Sequence, residues 1–238
     1  MSRIAESFKK KKLFIGYLTV GDGDSLKKFR TLLDGGVDLL EIGIPFSDPV
    51  ADGPVIQNAM VRSLKGHTKV EHALQLVHSL RKETEAPIVL FTYFNPIQRD
   101  LNGFLSKAKE AGAEGILVVD LPPEEAGDYQ SLCLKLGLDP IFVVAPSTPK
   151  ERMKRIASLG RGFIYYACRK GTTGARAGLP EDLEEKIAEI RAATDLPIAV
   201  GFGIADPQTA KNILKIADAY VVGSYFVEFT ERVYDFRS

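Results

Sequence analysis

The chain has 238 residues, and its 31 Lys and Arg are balanced by 31 Asp and Glu for a formal net charge of zero. That balance supplies no basic field for nucleic acid or for an anionic membrane surface. A composition of 45% hydrophobic and 26% charged residues is ordinary globular material, and two cysteines are too few for a disulfide scaffold.

In chain order, residues 1–12 carry charges with no apolar run behind them, unlike a secretory signal. No later apolar stretch reaches the roughly 18 residues that span a bilayer. The expected setting is cytoplasmic and reducing, with Cys133 and Cys168 as partly buried thiols. Lysines 9–12 read as the solvated end of a helix. Eight apolar segments follow, at 13–20, 37–44, 87–94, 115–121, 140–145, 162–168, 197–204 and 219–226. Each is short, nearly continuous and rich in Val, Ile, Phe and Tyr, the pattern of strands buried on both faces.

Helical periodicity fills the gaps. Val70, Ala73, Leu74, Val77 and Leu80 share one face of 69–82, and Leu183, Ile187 and Ile190 share one face of 180–193. Leu121-Pro122-Pro123, Thr148-Pro149 and Asp206-Pro207 read as helix starts, with Thr148 and Asp206 as N-caps. Gly35-Gly36, Gly112 and Gly137 read as helix ends. Eight strands separated by seven helical segments predict a (β/α)8 TIM barrel, with 1–238 as a single domain. A doubly wound sheet is the alternative, but Val20-Gly21-Asp22-Gly23-Asp24 lacks the phosphate turn it would use. Only 227–238 follow the last strand, so a shortened C-terminus with a reduced last helix is expected.

Some motifs fail. Asp22 and Asp24 form a turn, because Leu33 stands where a calcium loop needs Glu. His67, His72 and His78 are not spaced to share a helix face as zinc ligands, and are expected on the surface.

Chemistry in a barrel sits at the C-terminal ends of the strands. Alternation along the second strand turns Leu40, Ile42 and Ile44 toward the helices and Val37, Leu39, Glu41 and Gly43 toward the interior. A carboxylate inside is costly unless it is paired or neutral. Arg169 is the one inward cation that could pair with it. A carboxyl kept neutral suits proton transfer near pH 7. The loop that follows is stiffened by proline and carries Asp48, read as a turn residue, and Asp52, which spacing alone leaves open between turn former and catalyst. Glycine-containing turns at 171–175, 201–205 and 223–224 would let backbone N–H groups approach a phosphate.

The run from Leu39 and Glu41 through Gly43-Ile44-Pro45-Phe46-Ser47-Asp48-Pro49-Val50-Ala51-Asp52-Gly53-Pro54 resembles the tryptophan synthase alpha chain family. Phe91-Thr92-Tyr93-Phe94-Asn95-Pro96, Val119-Asp120-Leu121-Pro122, Gly171-Thr172-Thr173-Gly174-Ala175, Val200-Gly201-Phe202-Gly203-Ile204 and Val221-Val222-Gly223-Ser224 match in the same order. The resemblance implies a lyase that splits indole-3-glycerol phosphate into indole and glyceraldehyde 3-phosphate. It implies Glu41 as acid and base, and Asp52 as acceptor for the indole N–H. Substrate would contact Tyr17, Ile56, Tyr165, Thr173 and Phe202, with Leu90 or a neighbour in the same wall. Gly174, Gly203, Gly223 and Ser224 would cradle the phosphate. The resemblance further implies no metal or cofactor in this chain, and a beta-chain partner carrying pyridoxal phosphate in an α2β2 assembly. A weakly or non-catalytic activator of the beta chain is the alternative. The sequence departs from the family pattern at Gly16, Asp22-Gly23, Cys168 and Thr172.

Overall fold

All eight predicted strand segments form strands, and they close on themselves. The structure is a computed structural model, and it describes residues 2–168, 179–201 and 203–236. The strands are β1 (Leu13–Thr19), β2 (Leu39–Gly43), β3 (Ile88–Thr92), β4 (Gly115–Val118), β5 (Asp139–Val144), β6 (Ile164–Ala167), β7 (Ile198–Gly201) and β8 (Ala219–Val222). Each pairs in parallel with the next, and β8 pairs with β1, giving a closed barrel in sequence order. Their near-continuous burial follows from helices outside and packed side chains inside.

The helices are α1 (Arg3–Lys10), α2 (Ser25–Asp34), α3 (Pro54–Lys65), α4 (Val70–Arg81), α5 (Asn95–Gln98), α6 (Leu101–Ala111), α7 (Gly127–Leu136), α8 (Lys150–Leu159), α9 (Leu183–Arg191), α10 (Pro207–Ile216) and α11 (Ser224–Glu228). Two helices, α3 and α4, therefore fill the interval between β2 and β3, where one was expected. A short 3-10 helix, Thr230–Phe236, follows α11, so the last helical unit is reduced.

Local chemistry sets many of these boundaries. Asp206 caps α10 by accepting from the Thr209 N–H, as predicted, and Asp24 caps α2 through the Lys27 N–H. Gly112 and Gly137 end their helices in the left-handed conformation at φ 102° and 68°. Two predicted starts are corrected. The Thr148 hydroxyl accepts from the Ala145 N–H in a turn, so it does not cap α8, which begins after Pro149. Leu121-Pro122-Pro123 lies in a loop ahead of α7, because Pro122 spends its carbonyl on a turn with the Glu125 N–H. Asp22 sits in the predicted turn, held by the Arg62 guanidinium at 2.6 and 2.9 Å. His67, His72 and His78 are exposed, and Cys133 and Cys168 are buried and not joined in a disulfide. Burial pushes the Cys133 thiol up to about 12, which keeps it protonated.

The N-terminal end of the barrel is closed by α1. Ile4 is fully buried, and its methyl groups lie close to Gly115 and Gly162, where a Cβ would stand 3.0 to 3.2 Å away. Phe8 packs on Phe163 at 5.7 Å. The lysine run finishes this helix: Lys11 pairs with Asp38 at 2.7 Å, and Lys12 donates to the Leu214 carbonyl. Beneath the strands, buried Glu114 takes Arg3 and Arg81, each at 2.8 Å, and the Ile88 N–H at 2.8 Å. A buried carboxylate is tolerated when its oxygens are this fully engaged. Arg81→Leu removes one partner and strands part of that charge. It is expected to lower unfolding free energy by about 2 to 4 kcal/mol in urea titration, with the circular dichroism of the native state unchanged.

Candidate active site

Strand register determines which side chains share the barrel interior. Tyr17 on β1 aligns with Glu41 on β2, and Gly43 aligns with both Thr19 and Phe91. Val143 aligns with Tyr165, and Ala167 with Gly201. A Cβ on Gly43 would lie 2.2 Å from the Tyr17 hydroxyl oxygen, and a Cβ on Gly201 would lie 2.2 Å from that of Tyr165. The two glycines therefore make room for two inward tyrosines. Phe91 stands between them, edge-on to both, at 5.4 Å from Tyr17 and 6.4 Å from Tyr165. Of Leu90 and its neighbours, Leu90 aligns with Ile42 on the helix-facing side, and alternation hands the interior to the neighbour Phe91. That alternation was available in the sequence.

Glu41 sits in this aromatic surround with 0% of its surface exposed. Among the described residues neither carboxylate oxygen meets a hydrogen-bond partner. Loss of water with nothing in exchange favours the neutral form and lifts the carboxyl to about 8. Tyr17 and Tyr165 are themselves held protonated, chiefly by burial, with the Glu41 and Asp52 charges adding to it. The Tyr17 hydroxyl shares a 3.2 Å hydrogen bond with Thr19.

The loop after β2 brings in the second carboxyl. Asp48 is exposed and shares a short hydrogen bond with Ser47, in keeping with a turn residue. Asp52 is 2% exposed. Its N–H donates to the Pro49 carbonyl at 3.0 Å, its own carbonyl accepts from Gln57 at 2.7 Å, and its Oδ2 accepts from the Tyr93 hydroxyl at 2.7 Å. Burial raises it to about 6, and the Tyr93 bond opposes that rise. Tyr93 had no assigned role in the sequence, although it lies within a quoted motif. At pH 7 one carboxyl is thus mainly protonated and the other mainly ionised, the division that acid–base chemistry uses.

The remaining predicted residues vary in what the structure says of them. Ile56 is buried in the first turn of α3. Gly203 follows β7 at φ 81°, and Gly223 and Ser224 open α11 directly after β8. A Cβ on Gly223 would stand 3.5 Å from Tyr17, so this turn borders the aromatic site. Thr173, Gly174, Phe202 and the possible partner Arg169 lie outside the described residues, as does Thr172. Among the described residues there is no cluster of His, Cys, Asp and Glu suited to a metal ion, and no helix is long and apolar enough to cross a membrane.

A family model described as "Tryptophan synthase alpha chain" matches residues 4–236. The chain belongs to the tryptophan synthase alpha chain family. An alpha chain from Coxiella burnetii (strain CbuK_Q154) is 48% identical over 231 residues, covering 96% of this chain and 90% of that protein. One from Chlamydia felis is 46% identical over 239 residues, covering 98% and 93%. Among solved structures, tryptophan synthase from Mycobacterium tuberculosis aligns with a TM-score of 0.92 at 32% identity, over 99% of this chain and 96% of that one. A chain from the α2β2 tryptophan synthase complex of Pyrococcus furiosus aligns at 0.88 and 37% identity, over 95% and 98%.

The raised carboxyl leaves a mark on stability in this alpha-chain fold. Glu41 moves from an ordinary 4.5 to about 8 on folding, so between those values the native state holds a proton that the unfolded chain releases. Stability is fully present below about 4.5 and drains away as pH rises through 8, by at most about 1.4 kcal/mol per pH unit. Glu41→Gln keeps the shape and removes the titration. Its urea-unfolding free energy is expected to gain on wild type between pH 5 and pH 8.5, by roughly 2 to 4 kcal/mol.

Proposed function

We propose that Glu41 and Asp52 carry out the lyase half-reaction of tryptophan synthase in this chain, the cleavage of indole-3-glycerol phosphate to indole and glyceraldehyde 3-phosphate. The activity is that of the family to which the chain belongs. The observation that carries the residue assignment is the buried Glu41 carboxyl, which has no hydrogen-bond partner among the described residues.

Breaking the bond between the indole ring and the glycerol chain needs a proton on ring carbon C3 and the removal of one from the adjacent hydroxyl. Glu41, neutral at pH 7, delivers the first proton and forms the new C3–H bond. Positive charge then develops on the ring nitrogen. Asp52, ionised above about 6, accepts the ring N–H and stabilises that charge. As the carbon–carbon bond breaks, its electron pair returns to the ring and restores indole. The Glu41 carboxylate takes the hydroxyl proton, and the chain fragment leaves as the aldehyde. The carboxyl ends the cycle as it began.

The aromatic faces of Tyr17, Phe91 and Tyr165 suit a flat apolar ring, and Ile56, Thr173 and Phe202 are assigned to the same wall. Gly174, Gly203, Gly223 and Ser224 are assigned to the phosphate through their backbone N–H groups, which need no lysine or arginine. By the same family membership we assign this chain a beta-chain partner in an α2β2 assembly, with pyridoxal phosphate on the partner. A neutral surface charge is compatible with a protein partner. An activator without catalysis would have no use for a carboxyl held at about 8 in an apolar surround.

Glu41→Gln is expected to lower indole release by 100-fold to 10,000-fold, about the range for a lost general acid–base group, with or without a beta chain. Wild-type kcat/KM should follow a bell with limbs near 6, where Asp52 ionises, and near 8, where Glu41 loses its proton. Stopped-assay indole release across pH 5 to 9 measures both. Equal rates for wild type and Glu41→Gln contradict the assignment.

A further inference from the structure

We propose that Tyr93 is a positioning residue for Asp52, and that one phenolic oxygen fixes both that carboxylate and the loop carrying it. The proposal rests on the assignment of Asp52 to the ring N–H. The Tyr93 hydroxyl donates to Asp52 Oδ2 at 2.7 Å and accepts from the Ala51 N–H at 3.0 Å. A phenol is suited to both bonds, since it has one proton to give and lone pairs to receive. Its ring packs on Phe46 with centroids 5.1 Å apart. Phe46 stands at the start of the same loop, so Tyr93 grips that loop near both ends.

The rest of the loop separates what holds its backbone from what the hydroxyl holds. The Asp52 backbone is held by the Pro49 carbonyl and by Gln57. Those bonds survive without the hydroxyl, whereas the orientation of the Asp52 carboxylate is set by the donor on Oδ2. Tyr93 is rigidly based: it follows the last residue of β3, it is 0% exposed, and its carbonyl accepts from Thr92 at 2.9 Å. A fixed donor pre-arranges the carboxylate before substrate arrives.

The same bond couples loop geometry to charge. Ionised Asp52 accepts more strongly than the acid does, so the clamp is tightest in the state that binds a ring N–H. Among the described residues, the other groups that share this field are Tyr17 on β1, Glu41 on β2, Tyr165 on β6, and Asp120 after β4, which acts on Tyr93. None of them is a cation that would hold the Asp52 charge in place of the phenol.

Tyr93→Phe deletes one oxygen and keeps the ring against Phe46. Three readouts test the proposal in the full chain. The expected results are a kcat fall of roughly tenfold to a hundredfold, the scale of one lost hydrogen bond to a charged group, with KM changed less than threefold. The acid limb of kcat/KM should move upward from about 6, so the loss is larger at pH 6 than at pH 7.5. The Ala51 amide should exchange with deuterium at least tenfold faster, while amides in α3 keep their protection. An unmoved acid limb together with unchanged Ala51 exchange overturns the proposal, whatever happens to the rate. Asp52→Asn, assayed alongside, separates the two assignments: full activity there overturns the role of Asp52 itself, and leaves the exchange result to judge the clamp.

Discussion

A carboxyl group drawn out of water must find donors for its oxygens or keep its proton. Among the described residues Glu41 has no partner for either oxygen, and it lies among aromatic side chains. Much of the barrel mouth can be understood as what keeps it so. Gly43 and Gly201 give up their side chains to admit the hydroxyl ends of Tyr17 and Tyr165. Phe91 closes the gap between the two rings. The result is an apolar slot with one neutral acid in it, and the charged partner, Asp52, is brought over from the loop that follows β2.

The opposite end of the barrel shows the alternative solution with the same residue type. Glu114 is also buried, yet it engages two guanidinium groups and a backbone N–H. There the charge is matched and the group serves to tie α1 and α4 to the strands. Evolutionary histories aside, the physics separates the two glutamates: one is satisfied and holds the fold, the other is unsatisfied and is available for proton transfer. Asp52 is intermediate: it is buried but accepts from the Tyr93 phenol, and its shift is smaller.

Much of this was legible in the sequence, for identifiable reasons. Period-two alternation placed Glu41 inside because Leu40, Ile42 and Ile44 are all apolar and had to face the helices. Continuous apolar runs marked all eight strands, because strands buried on both faces have no polar side to hide. What was missed depends on contacts between segments distant in sequence. Tyr93 reads as one more aromatic at a strand end until its hydroxyl is seen on Asp52, 41 residues away. Thr148 looks like an N-cap by its neighbour Pro149, but its hydroxyl is taken by the Ala145 N–H. The helix expected at 69–82 is α4; α3 was not read separately, because the break between the two, at residues 66–69, carries one glycine and no proline. The wall position was left open between Leu90 and its neighbours, although the register of Glu41 already favoured Phe91.

The central claim is that Glu41 is neutral at pH 7 in the folded chain. The direct measurement is a carboxyl carbon NMR titration of protein labelled at the glutamate side-chain carboxyls, with the Glu41 resonance assigned by its loss in Glu41→Gln. The account predicts a resonance that titrates near pH 8, well above the other glutamates. A Glu41 carboxyl that titrates near 4.5 with them would contradict it.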